Sequence, residues 1–307
     1  MQFSDRLIGA IENKQSRLVV GLDPHLDLLP AQILKSIDKS NRREVADAVL
    51  NFSLGVLDAV SDYAVAIKPQ VAFFERLGGA GYEILETIVK EAKKRDLISI
   101  SDAKRGDIGS TAQAYADYHL GPSDTGGRSL PGLDADALTL NPYLGADSLD
   151  PFLNYIRLGK GAFLLAKTSN PGSGDFQDRL LQLPGSNNIP LYQAVGILAD
   201  QISGHVGVSG YASIGLVIGA TYPEQAKVLR TAFPRLIFLV PGIGAQGAKP
   251  EDLKNFFDSR GHGAVINASR SIIFAYRESS TPDQWKACAR KAAQILRDQI
   301  NAALGIL

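Results

Sequence analysis

Eight short apolar runs recur along almost the whole chain, and this spacing constrains the fold more than any other feature. They occupy 18–23 (LVVGLD), 64–70 (AVAIKPQ), 98–104 (ISISDAK), 137–142 (ALTLNP), 161–169 (GAFLLAKTS), 214–220 (IGLVIGA), 236–244 (LIFLVPGIG) and 263–269 (GAVINAS). Their length, their Val/Ile/Leu content and the lack of polar alternation describe strands buried on both faces, as in a parallel sheet. Helical patterns separate them. In 44–60 the residues Val45, Val49, Phe52, Val56 and Val60 recur every three or four positions, one apolar stripe facing a core. In the last helix Trp285, Cys288, Ala292 and Ile295 form a similar stripe, which makes Cys288 a packed thiol rather than a reactive one.

Eight strand–helix units in about 290 residues match the (β/α)8 count, so the expected fold is α/β, a single (β/α)8 barrel domain over residues 1–307. A doubly wound open sheet is the competing architecture and usually has fewer strands. Two segments exceed the bare repeat. The turn-rich stretch 121–136 follows the third helix and reads as a loop insertion. The stretch 170–190 follows the fifth strand, on the face where barrels build active sites, and reads as a lid.

Composition narrows the function. With 32 Lys+Arg against 32 Asp+Glu, formal net charge is zero, and no broad attraction to nucleic acid or an anionic membrane is expected. One cysteine, Cys288, excludes an internal disulfide framework and a Cys-based zinc site. The four histidines, His25, His119, His205 and His262, lack paired metal-ligand spacing. No run approaches the roughly 20 apolar residues of a membrane span. The first residues lack the layout of a secretory signal, so a cytoplasmic protein is expected.

Charge collects at the strand ends, at Asp23, Lys68, Asp102, Lys104 and Lys167, with Arg270 just beyond the eighth strand. Such positions lie at the mouth of a barrel, whereas interior positions must be apolar. A period of two puts Ile98, Ile100, Asp102 and Lys104 on one face of the third strand. Asp102 and Lys104 then point the same way. With Lys68 and Asp23 from neighbouring strands they form an array of acids and amines, better explained by a site than by a costly internal brace. A phosphate site is the second expectation. The seventh strand runs into Pro241-Gly242-Ile243-Gly244-Ala245-Gln246-Gly247, and the eighth into Asn267-Ala268-Ser269-Arg270. Glycines admit an anion to backbone N–H groups, and Arg270 offers a planar fork of donors. The same glycines spell G-x-G-x-x-G, but a dinucleotide fingerprint belongs after a first strand with an acidic residue ending the next.

The run Asp102-Ala103-Lys104-Arg105-Gly106-Asp107-Ile108 resembles the D-x-K-x-x-D-I signature of orotidine 5′-phosphate decarboxylases, with Thr111 at the family's following threonine. GLDP at 21–24 and IKPQ at 67–70 resemble the family's first and second strands. KTSNPGSGDFQ at 167–177 and VINASR at 265–270 resemble its longer bacterial branch, type 2. The resemblance spans nearly the whole chain. It implies decarboxylation of orotidine 5′-monophosphate to uridine 5′-monophosphate, the last step of pyrimidine nucleotide synthesis, with no metal or organic cofactor. By the same resemblance Asp102 stands beside the substrate carboxylate and disfavours it, and Lys104 protonates C6. Lys68 and Asp107 complete the charge array. Asp107 and Thr111 reach the partner's site in a homodimer. Asp23 and Lys68 hold ribose hydroxyls, Ser169 contacts the pyrimidine and Arg270 grips the phosphate. Asn141, Gly242 and Gly244 complete the substrate-binding set. Gln177, Gln193 and Gln246 remain alternatives for contacts to phosphate and base.

Two rivals stand beside this. Mg-dependent sugar-phosphate relatives, such as 3-hexulose-6-phosphate synthase and 3-keto-gulonate-6-phosphate decarboxylase, carry a metal-holding Glu where Lys68 stands, and an ammonium repels a cation. A non-catalytic barrel that binds phosphate ligands would not need alternating buried charges.

Overall fold

A computed structural model describes residues 1–35, 37–124, 126–182, 188–204, 206–243 and 250–306. Among them eight parallel strands close a barrel. They are β1 (Leu18–Leu22), β2 (Ala66–Pro69), β3 (Ile98–Arg105), β4 (Ala137–Leu140), β5 (Gly161–Lys167), β6 (Ile214–Ile218), β7 (Ile237–Pro241) and β8 (Ala264–Ala268). Each pairs with its sequence neighbours, and β1 closes on β8. The longer helices are α1 (Phe3–Lys14), α2 (Arg42–Val60), α3 (Gly79–Lys93), α4 (Gly109–Leu120), α5 (Asp150–Arg157), α6 (Leu191–Ile202), α7 (Pro223–Ala232) and α8 (Trp285–Leu304). A single (β/α)8 barrel is what the eight apolar runs require. Between β7 and β8 the described residues hold a 3-10 stretch, Pro250–Phe256, where a regular repeat would place an α-helix.

Strand periodicity separates two cores. Outward residues such as Leu138, Leu164, Leu216 and Ile266 pack with the helices, including the expected α2 stripe Val45, Val49, Phe52, Val56 and Val60. Inward residues, among them Val19, Ile98, Ile100, Ala137, Phe163, Val217, Leu239 and Val265, fill the barrel. Phe3, Leu7, Ile8 and Ile11 of α1 join that interior cluster and stop the N-terminal end of the barrel. Each such side chain contributes about 1.5–3 kcal/mol on full burial. Arg6 fixes α1 by an ion pair with Asp136, whose other oxygen accepts from the backbone and hydroxyl of Ser99. With this end filled, ligand access is left to the C-terminal mouth.

The α8 stripe differs from expectation. Its buried face is Trp285, Ala289, Ala293, Leu296 and Ile300, while Ile295 is 46% exposed. Ala289 and Ala293 take central places on that face because α8 packs closely on α2, where the Trp285 ring lies tilted against Phe52 at 5.2 Å. Cys288 is accordingly half-buried at the edge of that face.

The stretch 121–136 carries a small hairpin, Ser123–Asp124 with Ser129–Leu130, before β4 and away from the mouth. The stretch 170–190 leaves β5 at the mouth and pairs Leu180–Leu181 with Ile189–Pro190. Its start is anchored. The fully buried Lys167 ammonium contacts both Asp178 oxygens, at 2.7 and 2.8 Å, and lies 4.3 Å from the Tyr222 ring centre.

Three of the four histidines fall in the described residues, and His205 lies outside them. His25 packs edge-on against Phe73 at 4.5 Å. His119 is buried between α4 and β3, sharing a 3.0 Å hydrogen bond with Ser101. Burial, with a smaller push from Arg105, lowers its pKa to about 3 from 6.5. Below pH 6.5 the unfolded chain binds a proton that the folded chain refuses, so this group makes stability fall as pH drops. Between pH 6.5 and pH 5 the loss should be about 2 kcal/mol, and denaturant titrations should find it reduced in a His119→Gln variant.

Candidate active site

The inward rows of the strands change character towards the mouth. Apolar residues give way to Asp23 after β1, Lys68 and Gln70 at β2, Asp102 and Lys104 on β3, Thr139 on β4 and Asn267 on β8. All line one cavity of about 520 Å³. Thr168, Ser169, Asn170 and Gln177 wall it from the segment after β5, while Gly242 and Arg270 close the side of β7 and β8.

Asp102 is the centre. Only 5% exposed, its carboxylate accepts from four donors. Lys68 Nζ and Gln70 Nε2 (3.0 Å) donate to Oδ2, and Lys104 Nζ (2.5 Å) and Thr139 Oγ1 (3.0 Å) to Oδ1. Burial opposes its charge, yet the Lys68 and Lys104 ammoniums hold its pKa well below the usual carboxylate range. Burial likewise opposes the Lys68 ammonium, but Asp102 and Asp23 outweigh it and raise its pKa. Asp102 and Lys68 are therefore both charged throughout the neutral range.

The Lys104 side chain is 44% exposed, so its ammonium both touches Asp102 and faces the cavity. It gets there by an irregularity. Its φ is +51°, and the β3–β4 register jumps between Ser101 and Arg105. Arg105 then points away from the barrel to an ion pair with Glu75, whose carboxylate also accepts from Tyr82 at 2.9 Å.

Across the cavity polar atoms lack protein partners. Asp23 Oδ1, Asn267 Oδ1 and Ser269 Oγ are buried with none. Gly21 permits their approach, since a Cβ there would lie 2.8 Å from Ser269 Cβ and 3.3 Å from Asn267 Oδ1. Three unsatisfied polar atoms at one wall of a cavity suit a polar ligand.

Of the residues expected from sequence, Asp23, Lys68, Asp102, Lys104, Ser169, Gly242 and Arg270 meet at this cavity. Asp107 and Thr111 do not line it; they lie past the end of β3 and at the start of α4, with exposed Ile108 between them. Asn141 does not line it either. Its carboxamide accepts the Tyr143 N–H at 3.1 Å and caps the turn after β4, so it is spent on local structure. Lys167, grouped with the mouth charges by its place at a strand end, turns to Asp178 instead. Gly244 and Gln246 lie outside the described residues. Gln177 reaches the cavity, donating to Thr168 Oγ1 and accepting its N–H, both at 2.8 Å, while Gln193 bonds Tyr192. Gln70, Thr139, Asn267 and Ser269 were not singled out as site residues, although following each inward row one step further finds them.

The family model described as "Orotidine 5'-phosphate decarboxylase / HUMPS family" matches residues 16–281. The chain belongs to this family. An orotidine 5′-phosphate decarboxylase of Rhodopirellula baltica is 42% identical over 98% of this chain and 99% of its own length. One of Caldicellulosiruptor bescii is 38% identical over 99% of both. Among solved structures, OMP decarboxylase of Leishmania donovani superposes with a TM-score of 0.74 at 33% identity, covering 99% of this chain and all of that one. Among the described residues, no cluster of three or more His, Cys, Asp and Glu side chains is placed to hold a metal ion, nor is any helix long and apolar enough to cross a membrane.

Proposed function

We propose that this protein decarboxylates orotidine 5′-monophosphate to uridine 5′-monophosphate, as a cytoplasmic enzyme of pyrimidine nucleotide synthesis. The observation that carries the proposal is the Lys68–Asp102–Lys104 array, set at one side of a cavity whose other side offers Gly242 and Arg270. Full-length likeness to relatives that bear the decarboxylase name supports it.

The reaction breaks the C6–carboxylate bond and leaves its electron pair on C6. A substrate carboxylate beside Asp102 meets a charge that cannot be neutralised cheaply, because two ammoniums keep it ionised. As carbon dioxide leaves, that repulsion is relieved. The Lys104 ammonium, already fixed next to Asp102, stabilises the developing charge and passes a proton to C6. Asp23 and Lys68 hold the ribose hydroxyls, Ser169 contacts the pyrimidine, and Arg270 with Gly242 and Gly244 takes the phosphate. The segment 170–190 acts as a lid whose start Lys167 and Asp178 keep anchored. No metal or organic cofactor enters, and Lys68 disfavours the Mg-dependent alternative.

Loss of the ultraviolet absorbance of orotidine 5′-monophosphate tests the activity. Turnover should survive exhaustive EDTA treatment; a requirement for added Mg²⁺ would favour the sugar-phosphate branch instead. Lys104→Ala should abolish turnover while the protein still folds and binds uridine 5′-monophosphate. Arg270→Ala should act mainly on KM, raising it about 30-fold for a charged contact worth about 2 kcal/mol. Near-normal turnover in Lys104→Ala would exclude the chemistry.

Asp107 and Thr111 lie outside their own cavity beside exposed Ile108, which fits a homodimer in which they complete the partner's site. Lys104→Ala and Asp107→Ala homodimers should both be nearly inactive. Mixed with subunit exchange, about half the dimers become hetero and each keeps one intact site of two, restoring about a quarter of the parent activity. No recovery after verified exchange would refute the shared site and leave the decarboxylase assignment standing.

A further inference from the structure

Thr139 lies on β4 with 1% of its surface exposed, and its hydroxyl both accepts and donates a hydrogen bond. It accepts the backbone N–H of Lys104 and donates to Asp102 Oδ1, both at 3.0 Å. A single hydroxyl thus joins the main chain of one member of the charge array to the carboxylate of another. Its position in the sheet explains why. Ser101 of β3 pairs with Leu138 of β4, and pairing resumes at Arg105 with Leu140. One β4 residue, Thr139, therefore faces three of β3, Asp102 to Lys104. Within such a bulge the ladder lacks its regular backbone partner, and the Lys104 N–H takes the threonine side chain instead. Lys104 itself holds φ +51°, a left-handed conformation that a residue with a side chain keeps only when its surroundings over-determine it. Without the bulge, Asp102 and Lys104 would follow plain strand alternation, and nothing would turn the lysine back onto a carboxylate two residues earlier.

We infer that Thr139 is a positioning residue of this site, holding the β3 bulge in the form that sets the Lys104 ammonium against Asp102. The inference rests on the proposed decarboxylation in one respect only, that a well-placed Lys104 is what turnover requires. Thr139 acts through Lys104 and Asp102. Of the groups proposed to grip ribose and phosphate only Lys68 meets the same carboxylate, and it does so through the other oxygen, so the loss of Thr139 should appear in kcat more than in KM.

Thr139→Val keeps the shape of the side chain and removes both hydrogen bonds, whereas Thr139→Ser keeps both. Kinetics, thermal melting and a crystal structure of the full-length variants make the test. In Thr139→Val kcat should fall by about tenfold to a hundredfold, the order expected when a reacting group shifts by about 1 Å. KM should stay within about threefold of the parent, and Thr139→Ser should recover kcat to within about threefold. The crystal structure of Thr139→Val should show Lys104 out of its left-handed conformation or its ammonium away from Asp102. If the valine variant does not fold, Thr139→Ala carries the same expectations. Unchanged kcat without the hydroxyl, a serine variant as slow as the valine one, or an unmoved Lys104 would each overturn the inference. A parent enzyme without decarboxylase activity would overturn the reading of the cavity instead, and the Lys104 geometry of the variant would still decide the role of Thr139.

Discussion

A carboxylate buried in a barrel mouth is the constraint around which the site is organised. Removing Asp102 from water costs several kcal/mol, and only dense compensation makes that tolerable. The compensation comes from three strands at once: Lys68 and Gln70 from the β2 end, Lys104 from β3 and Thr139 from β4. Each donor satisfies the charge and also ties its strand to the neighbours, so the electrostatics and the local backbone depend on one another. The consequence for chemistry is rigidity. A charge with every lone pair engaged and its pKa held far down cannot relax by protonation when a second anion is brought beside it.

This rigidity depends in turn on the other end of the barrel. The interior is a column of apolar side chains stoppered by α1, with Phe3 meeting Phe163 edge-on at 5.9 Å. The polar layer sits as a cap on an apolar floor formed by residues such as Val217 and Leu239. Interactions among fixed charges above such a floor are less screened than at a surface. The fold therefore supplies more than a frame for the side chains; it sets the dielectric in which they act.

Much of this was legible in the order of residues, because buried parallel strands leave short apolar runs that alternate regularly with amphipathic helical stretches. Period-two reasoning also put Asp102 and Lys104 on one side. It did so without the left-handed residue and register jump that bring their charged groups together, since a bulge leaves no compositional mark in ISISDAKR. Thr139 and Asn267 escaped for a related reason. A neutral polar residue inside an apolar run looks like tolerated core, and only the phase of its strand shows that it points into the cavity. Lys167 illustrates the converse: a charge at a strand end need not face the mouth if a loop residue such as Asp178 can take it. Asn141 was drawn elsewhere by capping. On α8, Ala289 and Ala293 face inward beside Trp285, Leu296 and Ile300 because close helix packing admits small side chains, which hydrophobic bulk alone does not reveal.

Barrel geometry adds a last relation. With strands in the order β1 to β8 around the ring, β3 and β7 stand opposite each other. The charge array belongs to β2–β4, and the glycine and arginine pole to β7–β8, with Asp23 of the β1 end beside Lys68. A ligand with an anionic end and a reacting end can therefore be held at one pole while the other is put under electrostatic stress. In the proposed decarboxylation, contacts at Gly242 and Arg270 would gain nothing from the bond that breaks, yet they would offset the cost of setting a carboxylate against Asp102. On that proposal, separation of the poles would let binding at one side of the ring be converted into reactivity at the other. A cavity with both functions on the same strands would set the phosphate against the same fixed carboxylate.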